Sequence, residues 1–243
     1  MLLWIIAIII LLFIIIVAIG YHYGEEPPTS NMILNTCPAR RSLAIKCNWN
    51  DAGYTAPCSN EVYEFNRKKS NSIWCSKSDC DCRSFIGEVT AKDYPCYESK
   101  LFVDYSFNII GSPAHIRESN KGKIALLTTR TPSDREEYRF IFGYLFIDKI
   151  MENKTESIIY GDPKNSLKID PRFTHDLKFW RYHQNANSSL AHWGSGLFRK
   201  PFDMEIYRFL CDLQSVYTNL NGNTNDLNLI KEHIVLYEQY LNL

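Results

Sequence analysis

The chain has 243 residues, of which 45% are hydrophobic and 14% are aromatic. Its 27 basic and 27 acidic side chains balance, which excludes a strongly basic arm for nucleic acid and a polyacidic tail. The aromatic content excludes an intrinsically disordered chain. This length allows one large domain or two small ones.

The first nineteen residues are all apolar. A helix over residues 2–19 would be about 27 Å long, close to the thickness of the hydrocarbon layer of a bilayer. A cleaved signal peptide is the alternative, but no Lys or Arg precedes the run, and the run is longer than such peptides need. The sequence therefore predicts a single-pass transmembrane helix at residues 1–20 and a linker at residues 21–36. Arg40 and Arg41 weakly favour a cytoplasmic location for the rest of the chain.

Seven of the eight cysteines lie between positions 37 and 96. The closest group contains Cys75, Cys80 and Cys82, whose spacing can direct three thiolates at one metal ion. A structural zinc site needs four nitrogen or sulfur ligands, and bound metal stabilises segments that bury little apolar surface. The sequence therefore predicts a module at residues 37–100 that holds a structural zinc ion. Its ligands are expected among five cysteines: Cys58, Cys75, Cys80, Cys82 and Cys96.

Other uses of these cysteines stay open. Disulfides would form in an oxidising compartment, although seven cysteines would leave one without a disulfide partner. Catalysis by one cysteine is a further alternative, but the segment has no Cys-x-x-Cys motif. Whether Cys37 and Cys47 join the metal site is also open.

A β-rich domain is predicted for residues 101–202. Residues 124–130 form a short apolar run that predicts a strand, and residues 139–150 form a longer run rich in aromatic and β-branched side chains. Gly143 within the second run indicates a β-bulge. A third strand is predicted at residues 157–160.

Two amphipathic helices are predicted for residues 203–243, because their apolar residues recur at helical spacing. We expect Asp203 to cap the first helix, and Asn225 with Asp226 to cap the second. The predicted fold class is therefore α+β. It combines the transmembrane helix, the cysteine-rich module, and a small mixed-sheet domain with C-terminal helices.

The two longer predicted strands carry a resemblance to a known family. Gly122–Leu127 has a Gly-Lys pair before an apolar run, and Ile141–Ile147 contains an Ile-Phe-Gly core. This pairing resembles the PUA-like group, including its EVE and ASCH branches, over residues 122–180. The resemblance implies a small barrel that binds RNA or modified bases, typically by stacking a base on aromatic side chains.

Candidate ligand-binding residues follow the predicted strands. Arg130 comes after Thr129 at the end of an apolar run, so its guanidinium must leave the core at a defined edge, where it could bind a phosphate or a carboxylate in bidentate fashion. A salt bridge from Arg130 to Glu136 or Glu137 is the simpler alternative. Tryptophans at 180 and 193 could stack a planar ligand, with ordinary packing as their alternative role. The full predicted set is Thr129, Arg130, Arg139, Trp180, Trp193 and Arg199.

These features favour a membrane-anchored, zinc-stabilised protein that binds a nucleotide or a nucleic-acid-like ligand without catalysis. One alternative is a metal-independent hydrolase with histidine acid–base groups. Its candidate histidines are His115, His175, His183 and His192, with Asp170 or Asp176 as partners. A second alternative is an exported, disulfide-bonded domain that binds another protein.

Overall fold

A computed structural model describes residues 41–69, 101–110, 120–152, 156–184, 191–193, 196 and 198–243. All of them belong to one compact unit that spans Arg40–Leu243. The predicted membrane segment at residues 2–19, the predicted linker and most of the predicted zinc module lie outside these described residues. Among the described residues, no helix combines the length and the apolar character that a membrane span requires.

Seven strands of the described chain form one sheet in the order β2-β5-β4-β3-β1-β7, and β6 pairs with β4 beside this path. β1 and β3 are parallel, and the other pairs are antiparallel. The strands are β1 Leu43–Lys46, β2 Ser106–Ile110, β3 Ile124–Thr129, β4 Phe140–Glu152, β5 Glu156–Gly161, β6 Leu167–Lys168 and β7 Phe198–Arg199.

Every residue of the central strand β3 is buried, as expected for an apolar run with elements packed on both faces of the sheet. The neighbouring strand β4 carries the predicted bulge. Leu127 pairs with Gly143, but the next residue, Thr128, pairs with Ile141, so β4 has one extra residue at this point. A Cβ atom at Gly143 would lie 2.5 Å from Phe102 Cζ, so only glycine fits there without displacement.

The two faces of the sheet have separate apolar cores. We call the first the helix face, because α3 (Asp203–Asn219) and α4 (Thr224–Leu241) pack on it. The opposite face is covered by side chains such as Tyr54, Leu101 and Phe102, and Tyr54 stacks on the β4 ring of Phe142 at 4.0 Å. Two shorter α-helices complete the described chain, α1 Asn60–Lys69 and α2 Phe179–Tyr182.

Polar contacts attach α4 to the sheet. The backbone amide of Ile124 donates to the Tyr237 hydroxyl, which also shares a 2.6 Å hydrogen bond with Ser42. His233 Nδ1 lies 2.8 Å from the Tyr144 hydroxyl, and the imidazole stacks on Phe146. Burial lowers the pKa of His233 to about 4, so the imidazole is neutral in the folded protein at pH 7.

Both C-terminal helices are confirmed, but their caps differ from the prediction. The first helix includes Asp203, and the carboxylate of Glu205 accepts from the backbone amide of Phe202 just before it. The second helix is capped by Asn223, whose side-chain oxygen accepts from the amides of Asn225 and Asp226. The backbone amides of the predicted capping residues are therefore the donors in this cap, because the cap lies two residues before Asn225.

The predicted fold class is wrong. In place of a small barrel-like domain, the described residues form a mixed α/β arrangement around a seven-stranded sheet. Residues 43–46, within the predicted zinc module, supply strand β1 of that same sheet. No group of three or more His, Cys, Asp or Glu in the described ranges could hold a metal ion. The membrane, zinc and metal-binding features of the predicted fold therefore find no support in the part of the chain that is described.

Candidate functional site

Four cationic side chains meet at the edge of the sheet where the parallel strands β1 and β3 end. Lys46 is the last residue of β1, and Arg130 follows β3 directly. Arg139 precedes β4, and Arg199 lies in β7 opposite Ala44. Alternation along the strands places all four on the helix face. We call Lys46, Arg130, Arg139 and Arg199 the basic cluster.

Arg139 is the buried centre of the basic cluster, with 1% of its surface exposed. Its Nε donates to Glu136 Oε1 at 2.5 Å, and its Nη2 donates to Glu136 Oε2 at 3.1 Å. Its Nη1 donates to the Thr128 carbonyl at 3.2 Å. This bidentate carboxylate contact and the backbone contact satisfy the guanidinium on three sides, so Arg139 is held in one position.

Trp193 supports two of the guanidinium groups. The central carbon of Arg139 lies 5.0 Å from its ring centroid, and that of Arg199 lies 5.4 Å away. The indole is 1% exposed, and its Nε1 donates to the Gly196 carbonyl at 2.7 Å. Cation–π attraction of this kind stabilises cations that are partly removed from water. Trp193 therefore positions the cations, and its ring has no free face for a ligand.

Trp180 joins the cluster from α2 and is only half-buried. Its Nε1 donates to the backbone carbonyl of Glu136 at 2.9 Å, and its ring meets Trp193 edge-on at 6.0 Å. The indole therefore fixes the loop that carries Glu136, while part of its surface faces solvent beside the cations.

Negative charge is scarce at this edge. Lys46 pairs with Thr128 in the β1–β3 ladder, but its side chain makes no hydrogen bond or ion pair with any described residue. Arg199 has no carboxylate within ion-pair distance in the described chain. Burial lowers the pKa of Lys46, and repulsion from Arg139 lowers it further, while Glu136 acts in the opposite direction. Burial also lowers the pKa of Arg199, again opposed by Glu136. Within the described residues, one carboxylate therefore faces four cations.

Five of the six predicted ligand-binding residues are brought together at this edge: Arg130, Arg139, Trp180, Trp193 and Arg199. Thr129 is not among them, because alternation turns it to the opposite face, where its hydroxyl donates to the Cys47 carbonyl at 3.3 Å. The alternative salt bridge of Arg130 is confirmed for Glu136, with Nε 3.4 Å from Oε2. Lys46 is not among the residues predicted from the sequence. Its only sequence signal is that a lysine ends the short apolar run LAIK.

The predicted zinc ligands are nearly all outside the described residues. Cys58 alone is described, as a buried side chain just before α1. The other four are not described: Cys75, Cys80, Cys82 and Cys96. No disulfide joins two of the described cysteines.

Of the candidate histidines of the hydrolase alternative, His175 contacts a predicted partner, Asp176, whereas His183 contacts Glu205 instead. His183 Nδ1 lies 3.3 Å from Glu205 Oε2, the same oxygen that accepts from the Phe202 amide at the start of α3. His175 contacts Asp176 at an exposed turn, and Asp170 pairs with Arg172. The His183 contact links the end of α2 to α3, the other two contacts lie within one exposed turn, and the acid–base role stays a prediction.

Comparisons with known proteins returned no match: the scan against family models found none. The searches of curated proteins and of solved structures also found none. The resemblance to PUA-like domains over residues 122–180 therefore stays a prediction, and a function has to be inferred from the geometry of the site.

Proposed function

We propose that the basic cluster binds the phosphate groups of a small ligand of nucleotide type. The observation that carries this proposal is the charge imbalance at the sheet edge: four cations and one carboxylate within the described residues. Lys46 and Arg199 are both partly buried there without a carboxylate in ion-pair contact. A bound anion would supply the missing negative charge.

The energetic reason is the cost of holding like charges together. Two unit charges about 6 Å apart repel by roughly 3 kcal/mol at an effective dielectric constant near 20. The fold bears this cost because Trp193 and Glu136 stabilise the guanidinium groups. An anion that contacts several cations removes the repulsion and adds charge-assisted hydrogen bonds, and arginine forks match the geometry of phosphate oxygens.

A planar group on the ligand is supported by the half-exposed indole of Trp180 beside the cations. Stacking of a base on an aromatic side chain contributes roughly 1–3 kcal/mol. The compact cluster and the overall charge balance of 27 basic and 27 acidic residues favour a small ligand over a long polynucleotide. Proteins that track a polynucleotide neutralise many phosphates along an extended surface.

The test is a calorimetric titration of the purified full chain with ATP, pyrophosphate and adenosine. We expect saturable binding of ATP and pyrophosphate, and weaker binding of adenosine, which lacks phosphate. Arg199→Gln should weaken ATP binding about tenfold or more, because one charge-assisted contact contributes about 1.5–3 kcal/mol.

The matched control is Arg172→Gln, since Arg172 is exposed and pairs with Asp170 away from the cluster. This variant should bind ATP as the wild type does. If the wild type binds neither ATP nor pyrophosphate, or if both variants lose affinity equally, the proposal is wrong.

A further inference from the structure

Among the described residues, the carboxylate of Glu136 is the negative charge that offsets the positive charge of the basic cluster. Both of its carboxylate oxygens accept hydrogen bonds from Arg139, and Oε2 also lies 3.4 Å from Arg130 Nε. Its charge also acts on Lys46 and Arg199, since it raises the pKa of each against the effect of burial. The carboxylate therefore has the position and the charge that a ligand anion would have.

The two arginine contacts of Glu136 are unequal. Arg139 is buried and holds the carboxylate with two hydrogen bonds. Arg130 has 36% of its side chain exposed and makes one longer contact, while its Nη1 donates to the Asp134 carbonyl. Arg130 is thus the partner of Glu136 that solvent, and hence a ligand, can reach.

The segment around Glu136 allows the contact between Glu136 and Arg130 to be replaced by a contact between Arg130 and a ligand. Glu136 begins a single 3₁₀ turn, Glu136–Tyr138, that has no buried residue. Its carbonyl is held by Trp180, independently of the carboxylate. The side chain can therefore release Arg130 with no loss of apolar packing and with the backbone still fixed.

We propose that Glu136 is a built-in counter-anion that competes with the ligand phosphate for Arg130 and so sets the affinity of the site. When the ligand binds, a phosphate oxygen takes the Arg130 contact, and the carboxylate stays on Arg139. This inference rests on the proposed anion-binding function. It assigns Glu136 a role opposite to that of the cations, because it weakens binding while it stabilises the empty site.

The test compares the pyrophosphate affinity of the full-length wild type with that of Glu136→Gln by calorimetry. Removing one negative charge next to the bound anion should tighten binding about tenfold. The matched control is Glu137→Gln, because Glu137 lies in the same turn but pairs with Arg135 at the surface. The control should change the affinity less than about twofold.

Glu136→Gln leaves the buried Arg139 without a carboxylate, so a second pair of variants guards against loss of folding. The double variant Arg139→Met, Glu136→Gln replaces the buried ion pair as a whole, which is often tolerated, whereas Arg139→Met alone removes only the buried cation. Glu136 is then left to Arg130, so pyrophosphate should bind more weakly than in wild type. Adding Glu136→Gln to Arg139→Met should restore tighter binding.

The outcomes separate the two proposals. If the wild type binds pyrophosphate and neither removal of Glu136 tightens binding, the counter-anion role is wrong and the anion site stands. If the wild type and all variants fail to bind pyrophosphate and ATP, both proposals are wrong.

Discussion

The buried imidazole of His233 makes the stability of the fold depend on pH in a defined window. The side chain is 4% exposed, shares a hydrogen bond with the Tyr144 hydroxyl and stacks on Phe146. Burial lowers its pKa from 6.5 to about 4, so the native state favours the neutral form. Below pH 6.5 the unfolded chain takes up a proton that the folded chain does not. Stability is therefore lost as the pH falls from about 6.5 towards 4.

The size of the effect follows from the two pKa values. At pH 5, protonation of His233 favours the unfolded chain by about 2 kcal/mol, compared with about 0.2 kcal/mol at pH 7. This range of pH avoids most of the titration of ordinary carboxylates. For a domain of this size the difference corresponds to a fall in melting temperature of about 4–8 °C.

The assay is urea unfolding of the full chain at pH 7 and pH 5, followed by circular dichroism. The wild type should lose about 2 kcal/mol more than His233→Gln over this interval, because glutamine does not titrate. The control is His175→Gln, since the His175 side chain is 85% exposed. It should show the pH dependence of the wild type. Equal pH dependence in wild type and His233→Gln would refute the assigned cause.

Two further substitutions test the packing of β4 and the charge of the site. Gly143→Ala should lower the free energy of unfolding by about 1–3 kcal/mol, because its Cβ would lie 2.5 Å from Phe102 Cζ and 2.6 Å from the Leu167 carbonyl oxygen. An unchanged urea midpoint would mean that the bulge is not tightly packed. Lys46→Met should raise the stability of the unliganded protein by at most about 1 kcal/mol, since it removes a partly buried cation, and should weaken pyrophosphate binding. Lower stability together with unchanged binding would show that Lys46 has no part in the cluster.

The local elements of the second half could be predicted because their signals are contained in short segments. The apolar run at 124–130 contains β3, and the run at 139–150 overlaps almost all of β4. The bulge at Gly143 followed from a glycine within an aromatic strand. Each of these predictions depends on residues that are close in sequence.

The long-range pairings could not be predicted. Strand β1 is only four residues long and lies in a cysteine-rich segment, so nothing local indicates that it pairs in parallel with β3 about eighty residues away. That pairing is what brings Lys46 next to Arg130, and β7 brings Arg199 to the same edge. Thr129 lies at a strand end, as the other predicted site residues nearby do, but the alternation of side chains places it on the other face.

The most direct test of the central claim is a calorimetric titration of the wild type and the double variant Arg130→Gln, Arg199→Gln with ATP at pH 7 and low salt. Both arginines lie in the basic cluster, and both keep part of their surface in solvent. We predict one saturable site in the wild type and a loss of affinity of about a hundredfold in the double variant. No saturable binding by the wild type, or equal affinity in both proteins, would contradict the claim that this edge of the sheet binds an anionic ligand.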